Sequence, residues 1–163
     1  MSKKNIINLI IITIIFLIDR ISKILILKKT ELIDQNEIFL SKFINLHLIW
    51  NEGIAFGLLS FKGGLFYQII TVLILIIIIT LLILIIRPKT KINEKIGYIL
   101  ISGGAIGNFY DRVAYKAVPD FIDLHVGNFH WFIFNIADIF ITIGILWLIL
   151  IEIFSNKKNE NSI

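Results

Sequence analysis

Four long apolar stretches divide the chain, at about 5–27, 65–86, 96–112 and 131–154. Each comes close to the roughly 20 residues that a helix needs to cross a bilayer. The run from Leu65 to Ile86 holds no charge at all. The pattern predicts an all-α membrane protein of four transmembrane helices, a single integral membrane domain over 1–163. Between the spans lie two outer segments, 28–64 and 113–130. Within them Ile44, Leu46 and Leu48 alternate with Asn45 and His47, and the same alternation recurs over 122–126 with Asp123 and His125 on the polar side. Period two is that of a half-buried strand, so a small extracytoplasmic β-rich segment is expected. A plain surface loop fits those short runs equally well.

Lys3 and Lys4 ahead of an apolar run resemble the start of a signal peptide. No small-residue cleavage site follows, and after Asp19, Arg20 and Lys23 the apolar character resumes, so the segment reads as an uncleaved span. Lys3, Lys4, Arg87, Lys89, Lys91, Lys95, Lys157 and Lys158 fall in short segments on one side. Lys28, Lys29, Lys42, Lys62, Arg112 and Lys116 are spread over longer ones. By the density of positive charge, both termini are cytoplasmic.

Composition agrees with this reading: 57% of the 163 residues are hydrophobic and 17% charged, against about 45–50% and about 25% in soluble domains. A soluble enzyme and a disordered chain are excluded. The absence of Cys removes disulfides, Fe–S clusters and thiol nucleophiles. The net charge of +4 suits anionic headgroups better than nucleic acid in so apolar a chain.

The polar residues inside the spans carry the functional signal, because a charged one costs about 2.5–3.5 kcal/mol to insert. They are Asp19, Arg20 and Lys23, then Asn108, Asp111 and Arg112, then Asn135 and Asp138. Alternating spans gather all of them in one leaflet, with Asp138 on the order of 10 Å below the start of its span. The inner halves are nearly bare, which suits a site facing the outer surface rather than a path across the membrane. Asp19 and Lys23 are a favourable i,i+4 pair, most simply scaffolding. Asp111, beside Arg112, reads as its ionised structural partner. Asp120 and Asp138 have no basic neighbour in sequence. Two such acids facing each other would share a proton and could activate water for amide hydrolysis. A capping or loop role fits either acid taken alone. No zinc-protease motif is present, and His130 beside Trp131 reads as an interface marker.

Taken together, these residues resemble lipoprotein signal peptidase, the signal peptidase II of bacteria. The motifs are Asp19 with Lys23, Asn51-Glu52-Gly53-Ile54-Ala55-Phe56, the glycine-rich run from Gly103 to Arg112, Val118-Pro119-Asp120-Phe121, and Phe134-Asn135-Ile136-Ala137-Asp138. Pro119, often Val in the family, and Arg20, which looks peripheral, are its small departures. The resemblance implies an aspartic endopeptidase with Asp120 and Asp138 as the catalytic dyad. Asn51, Gly53, Asn108, Asp111, Arg112, Asn135, Asp19 and Lys23 would bind substrate or support the dyad, with no cofactor or metal. The implied partners are diacylglyceryl-modified prolipoproteins, cut before the lipidated Cys, and membrane lipids. The protein would be a monomer in the bacterial cytoplasmic membrane with its site toward the outer leaflet. The segment from Asn51 to Gly57 would cradle substrate, or be a turn. Two other classes stay open on the residues: a small proton-coupled transporter using Asp19, and an assembly factor using the glycine face of the third span.

Overall fold

The computed structural model describes residues 2–34, 37–53, 64–127 and 129–160. In chain order they form α1 (Lys3–Ile33), β1 (Glu37–Phe39), β2 (Ile44–Asn51), α2 (Leu65–Ile86), α3 (Ile92–Tyr115), β3 (Val118–Val126), β4 (Phe129–Phe134) and α4 (Ile136–Glu160). The protein is mostly helical, with one four-stranded antiparallel sheet in the order β1-β2-β3-β4.

Ile-rich segments are indifferent helix formers in water. They become helical when no water is present to satisfy the backbone, since a helix closes all its own hydrogen bonds. The distribution of side chains fits that account. Ile76, Ile77 and Ile83 of α2 and Leu146 and Ile149 of α4 are exposed, whereas Asp19, Lys23, Asp111 and Asn135 are fully buried. Such an inside-out arrangement is stable only against an apolar surrounding. α2 and the Ile136–Ser155 part of α4 are long and apolar enough to cross a membrane; α1 and α3 are of similar length and carry the buried charges.

α3 is the hub, packing against α1, α2 and α4. Its glycines permit the approach. A Cβ on Gly104 would run into the backbone carbonyl of Ala137 and come within 2.9 Å of Ile141, and one on Gly107 would strike the Asp19 carboxylate. Trp147 Nε1 donates to the Asn93 carbonyl at 2.8 Å, holding α4 against the start of α3.

The strand expectation for 44–48 and 122–126 is met and enlarged. β2 reaches Asn51, β3 begins at Val118, and the two pair antiparallel, with a bulge on β2 between Leu46 and Ile49. Pro119 sits at the start of β3, opposite Trp50, where strand entry tolerates the missing N–H. Leu48 and Phe121 pack with Ile26 of α1, fixing the sheet onto the helices. The fourth apolar stretch is corrected: residues 131–134 belong to β4, and the helix starts at Ile136. Trp131-Phe132-Ile133-Phe134 has the composition of a span but pairs with β3 as a hairpin.

Candidate active site

Two polar assemblies meet on α3. The first is ionic. Lys23 Nζ, fully buried, donates to Asp19 Oδ2 at 2.9 Å, Asp111 Oδ2 at 2.7 Å and Asn108 Oδ1 at 2.9 Å. Arg20 pairs with the other oxygen of Asp111 and lies over the rings of Tyr110 and Tyr115, 5.1 and 5.7 Å from their centroids. Asp19 Oδ1 accepts from the Ala137 N–H at 3.0 Å, joining α1 to the first turn of α4.

This alters two expectations. Asp111 is partnered by Arg20 and Lys23, not by Arg112: adjacent residues on a helix diverge by about 100°, so sequence neighbours point apart. Arg20 is not peripheral but buried within the network. Lys23 is four residues from Asp19 and three from Arg20, so it lies on a shared helical face with each, and that spacing was the available signal. Arg112 turns the other way. Its Nη2 donates to the Gly53 carbonyl at 2.7 Å, and its own carbonyl accepts from Tyr67 Oη at 3.0 Å. It thereby ties the chain just past β2, and α2, to the end of α3.

The second assembly is built of neutral amides. Asn51 Nδ2 donates to Asp120 Oδ2 at 2.8 Å, and Asn135 Nδ2 to Asp120 Oδ1 at 2.6 Å. Asn108 Nδ2 donates to Asp138 Oδ1 at 2.8 Å. Asn135 N–H donates to Asp138 Oδ2, and Asp138 N–H to Asn135 Oδ1, each at 3.1 Å. The last two bonds are a reciprocal capping box at the start of α4, satisfying donors that the first turn would leave open. The expectation that Asp138 lies on the order of 10 Å into its span is thus corrected; it stands in the first helical turn. Asn135 is the residue before the helix. An Asn-x-x-Asp ahead of an apolar run is the sequence mark of such a cap.

Asn108 and Asn135 also bond each other, Nδ2 of Asn135 to Oδ1 of Asn108 at 3.2 Å. A continuous chain of bonds therefore runs from Lys23 through Asn108 and Asn135 to both acids. Asn51, Asn108, Arg112, Asp120, Asn135 and Asp138 line one cavity of about 410 Å³, whose remaining walls include Ile74, Ile77, Ile101, Ile141 and Ile145. A polar end on an apolar slot suits a ligand with both characters. Among the described residues, every hydrogen bond to the side chains of Asp120 and Asp138 comes from a neutral amide. Burial pushes the Asp120 carboxyl up to about 6, and the nearby Asp138 charge adds to the rise; the bonds from Asn51 and Asn135 oppose it. At that value the group exchanges its proton near neutral pH, as general acid–base work requires.

Of the sequence-predicted residues, Asp120, Asp138, Asn51, Asn108, Asn135 and Arg112 meet at the cavity, and Gly53 joins through Arg112. Asp19, Lys23 and Asp111 form the adjoining ionic network. The Asn51–Gly57 segment is described only as far as Gly53; 54–57 lie outside the described residues. His130 does more than mark an interface: its Nδ1 lies 2.7 Å from Asp123 Oδ2.

Fold and site together define a membrane-type helical bundle carrying a carboxylate pair at the foot of an apolar slot. The family model for signal peptidase (SPase) II matches residues 11–154, and the chain belongs to that family, a family of proteases. It is 50% identical over 154 residues to the lipoprotein signal peptidase of Pelagibacter ubique (strain HTCC1062), covering 94% of this chain and 92% of the relative. Over 154 residues it is 35% identical to the lipoprotein signal peptidase of Anaplasma phagocytophilum (strain HZ), covering 93% and 94%. A bacterial membrane enzyme solved in meso at 2.3 Å resolution superposes with a TM-score of 0.73 at 28% identity, covering 93% of this chain and 90% of that one. A second, at 1.9 Å, gives 0.65 at 28% identity, covering 88% and 90%.

Proposed function

We propose that this protein is an aspartic endopeptidase that removes signal peptides from prolipoproteins, cleaving before the diacylglyceryl-modified Cys. In this reading Asp120 and Asp138 are the catalytic dyad. One carboxylate takes a proton from a water held between them as its oxygen attacks the scissile carbonyl. The other, protonated, hydrogen-bonds the carbonyl oxygen as negative charge develops there. Collapse of the tetrahedral intermediate breaks the C–N bond; the departing amine takes a proton from the dyad and becomes the N-terminus of the lipidated Cys. The new carboxylate stays on the signal peptide. The chemistry needs two carboxylates and water.

Asn51, Asn108 and Asn135 hold the carboxylates without neutralising them, which keeps one proton shared and mobile. Arg112 and Gly53 position the strand end that borders the cavity, and Asp19, Lys23 and Asp111 hold α1, α3 and α4 in register. All four helices span the membrane as one integral domain, with α1 and α3 admissible because their charges are paired internally. Both termini are cytoplasmic, and the sheet and dyad lie at the outer leaflet, where a lipidated substrate keeps its acyl chains. The apolar slot receives the signal helix. The protein acts as a monomer.

The observation that carries this reading is the pairing of Asp120 and Asp138 at one cavity, each bonded by neutral amides. Asp19 is the poorer candidate for a transporter carboxylate, because Lys23 and the Ala137 N–H already occupy its oxygens. The test is cleavage in proteoliposomes of one prolipoprotein in lipidated and unlipidated forms, with the product's N-terminus read by mass. The lipidated form is cut to a diacylglyceryl-Cys N-terminus and the unlipidated form is not. Equal cutting of both, or cutting elsewhere, contradicts the reading.

A further inference from the structure

On the face of β3 opposite Asp120, a second cluster has formed that the proteolytic site does not use. Asp120 and Asp123 are three residues apart on a strand and so point to opposite faces. Asp123 and His125 are two apart and share a face, and the register sets His125 directly against His130 of β4. Asp123 Oδ2 lies 2.7 Å from His130 Nδ1 and 3.8 Å from His125 Nδ1. The two imidazoles stack at 5.3 Å. One ligand-type atom from each of the three residues lies within 4.8 Å of the others.

The cluster holds polar atoms that nothing satisfies. Asp123 is fully buried, yet its Oδ1 has no hydrogen-bond partner among the described residues, and neither has His125 Nδ1, in a residue only 8% exposed. Unpaired buried acceptors and donors are costly and rare, about 1–3 kcal/mol each. A water-accessible third member completes the set: the His130 side chain is 48% exposed.

We propose that Asp123, His125 and His130 form a binding site for a divalent transition ion of the Zn²⁺ class. Two imidazoles and one carboxylate suit Zn²⁺, Co²⁺ or Ni²⁺; Ca²⁺ and Mg²⁺ want mostly oxygen ligands. Metal–ligand lengths of about 2.0–2.2 Å require the donor atoms to stand roughly 3.3 Å apart in a tetrahedron. His130 reaches that by a turn of its exposed side chain. His130 then presents its unprotonated ring nitrogen to the ion and keeps its one N–H on the other nitrogen, toward solvent, and water fills the fourth position. The ion clips β3 to β4, the hairpin that carries Asp120 and runs into Asn135 and Asp138. It takes no part in the proposed cleavage and does not depend on it.

The test is a Co²⁺ titration of the full-length protein in detergent, purified without a histidine tag. One equivalent of Co²⁺ binds with the visible absorption of a low-coordinate nitrogen–oxygen site, and saturating Zn²⁺ raises the Tm by about 3–6 °C. His130→Ala, at an exposed position that leaves the fold intact, weakens Co²⁺ binding at least tenfold. His125→Ala does the same, and His47→Ala leaves it unchanged. No saturable binding below millimolar Co²⁺, or binding that His130→Ala leaves untouched, overturns the proposal and leaves the cluster as a hairpin ion pair.

Discussion

The two polar assemblies that meet at α3 each hold a pair of aspartates and behave in opposite ways. Around Lys23, three acidic or amide oxygens and a fully buried ammonium satisfy one another, and Arg20 closes the second oxygen of Asp111. Around Asp120 and Asp138 the partners are side-chain and backbone amides, which orient a carboxylate without cancelling its charge. The first arrangement is locked, because any proton movement strands a buried charge. The second is poised, because a proton can come and go. What an aspartate does in this protein is decided by whether its donors are cationic.

That contrast can be broken most forcefully from the ionic side. Lys23→Met removes one cation and leaves the buried Asp19 without an ionic partner, while Asp111 keeps Arg20, and unpartnered buried charge costs about 3–5 kcal/mol. Thermal unfolding in detergent is expected to register a loss of that size, with any fall in activity following the folded fraction. An unchanged Tm would mean that the network is not holding the helices.

Asp120→Asn is expected to do the reverse. A carboxyl held up to about 6 binds its proton more tightly in the folded protein than in the unfolded chain. The folded state therefore carries the extra proton between about pH 4 and 6, and stability falls as pH rises through that window. Above it the cost is complete and amounts to at most about 3 kcal/mol, since each pH unit of the window is worth about 1.4 kcal/mol. Asp120→Asn should raise the Tm near pH 7.5 and leave it unchanged near pH 3.5. A loss of stability at neutral pH would contradict the burial argument.

Between these lies the helix packing that brings the assemblies together. Gly104→Ala drives a methyl group into the Ala137 carbonyl, which cannot retreat without moving α4. About 1–3 kcal/mol of destabilisation is expected, and because Asp138 is the next residue, cleavage should suffer beyond the stability loss. The smallest effect sharpens the amide side. Asn51→Ala removes one donor to the ionised Asp120, so the limb of the pH–rate profile near 6 should move alkaline by up to about one pH unit. A shift to acid would reverse the assigned role.

Much of this was open to reading along the chain, and the failures have physical reasons. Long apolar stretches are a matter of composition, so all four helices were visible. Their ends were not, where strand and span share a vocabulary: Trp131-Phe132-Ile133-Phe134 reads as membrane until hairpin pairing with β3 claims it. β1 is three residues and offers no alternation. The residues of the site were legible as motifs, while their partners were set by helix geometry. Asp111 looks toward Arg20 and Lys23 because they lie across a helix interface, whereas Arg112 is merely adjacent. The capping box at Asn135 and the meeting of His125 with His130 needed boundary and register, the two things a single chain tells least.

The central claim is that the amide-held acids do the chemistry and the cation-held acids do not. It is tested most directly by the cleavage rate of a lipidated prolipoprotein with Asp120→Asn and Asp138→Asn, each normalised to folded protein. Asn preserves the shape of both sites and can still accept the cap at α4. Both variants should remain folded and lose at least about 10²–10⁴-fold in rate. A folded variant of either kind that cleaves at the wild-type rate would contradict the account.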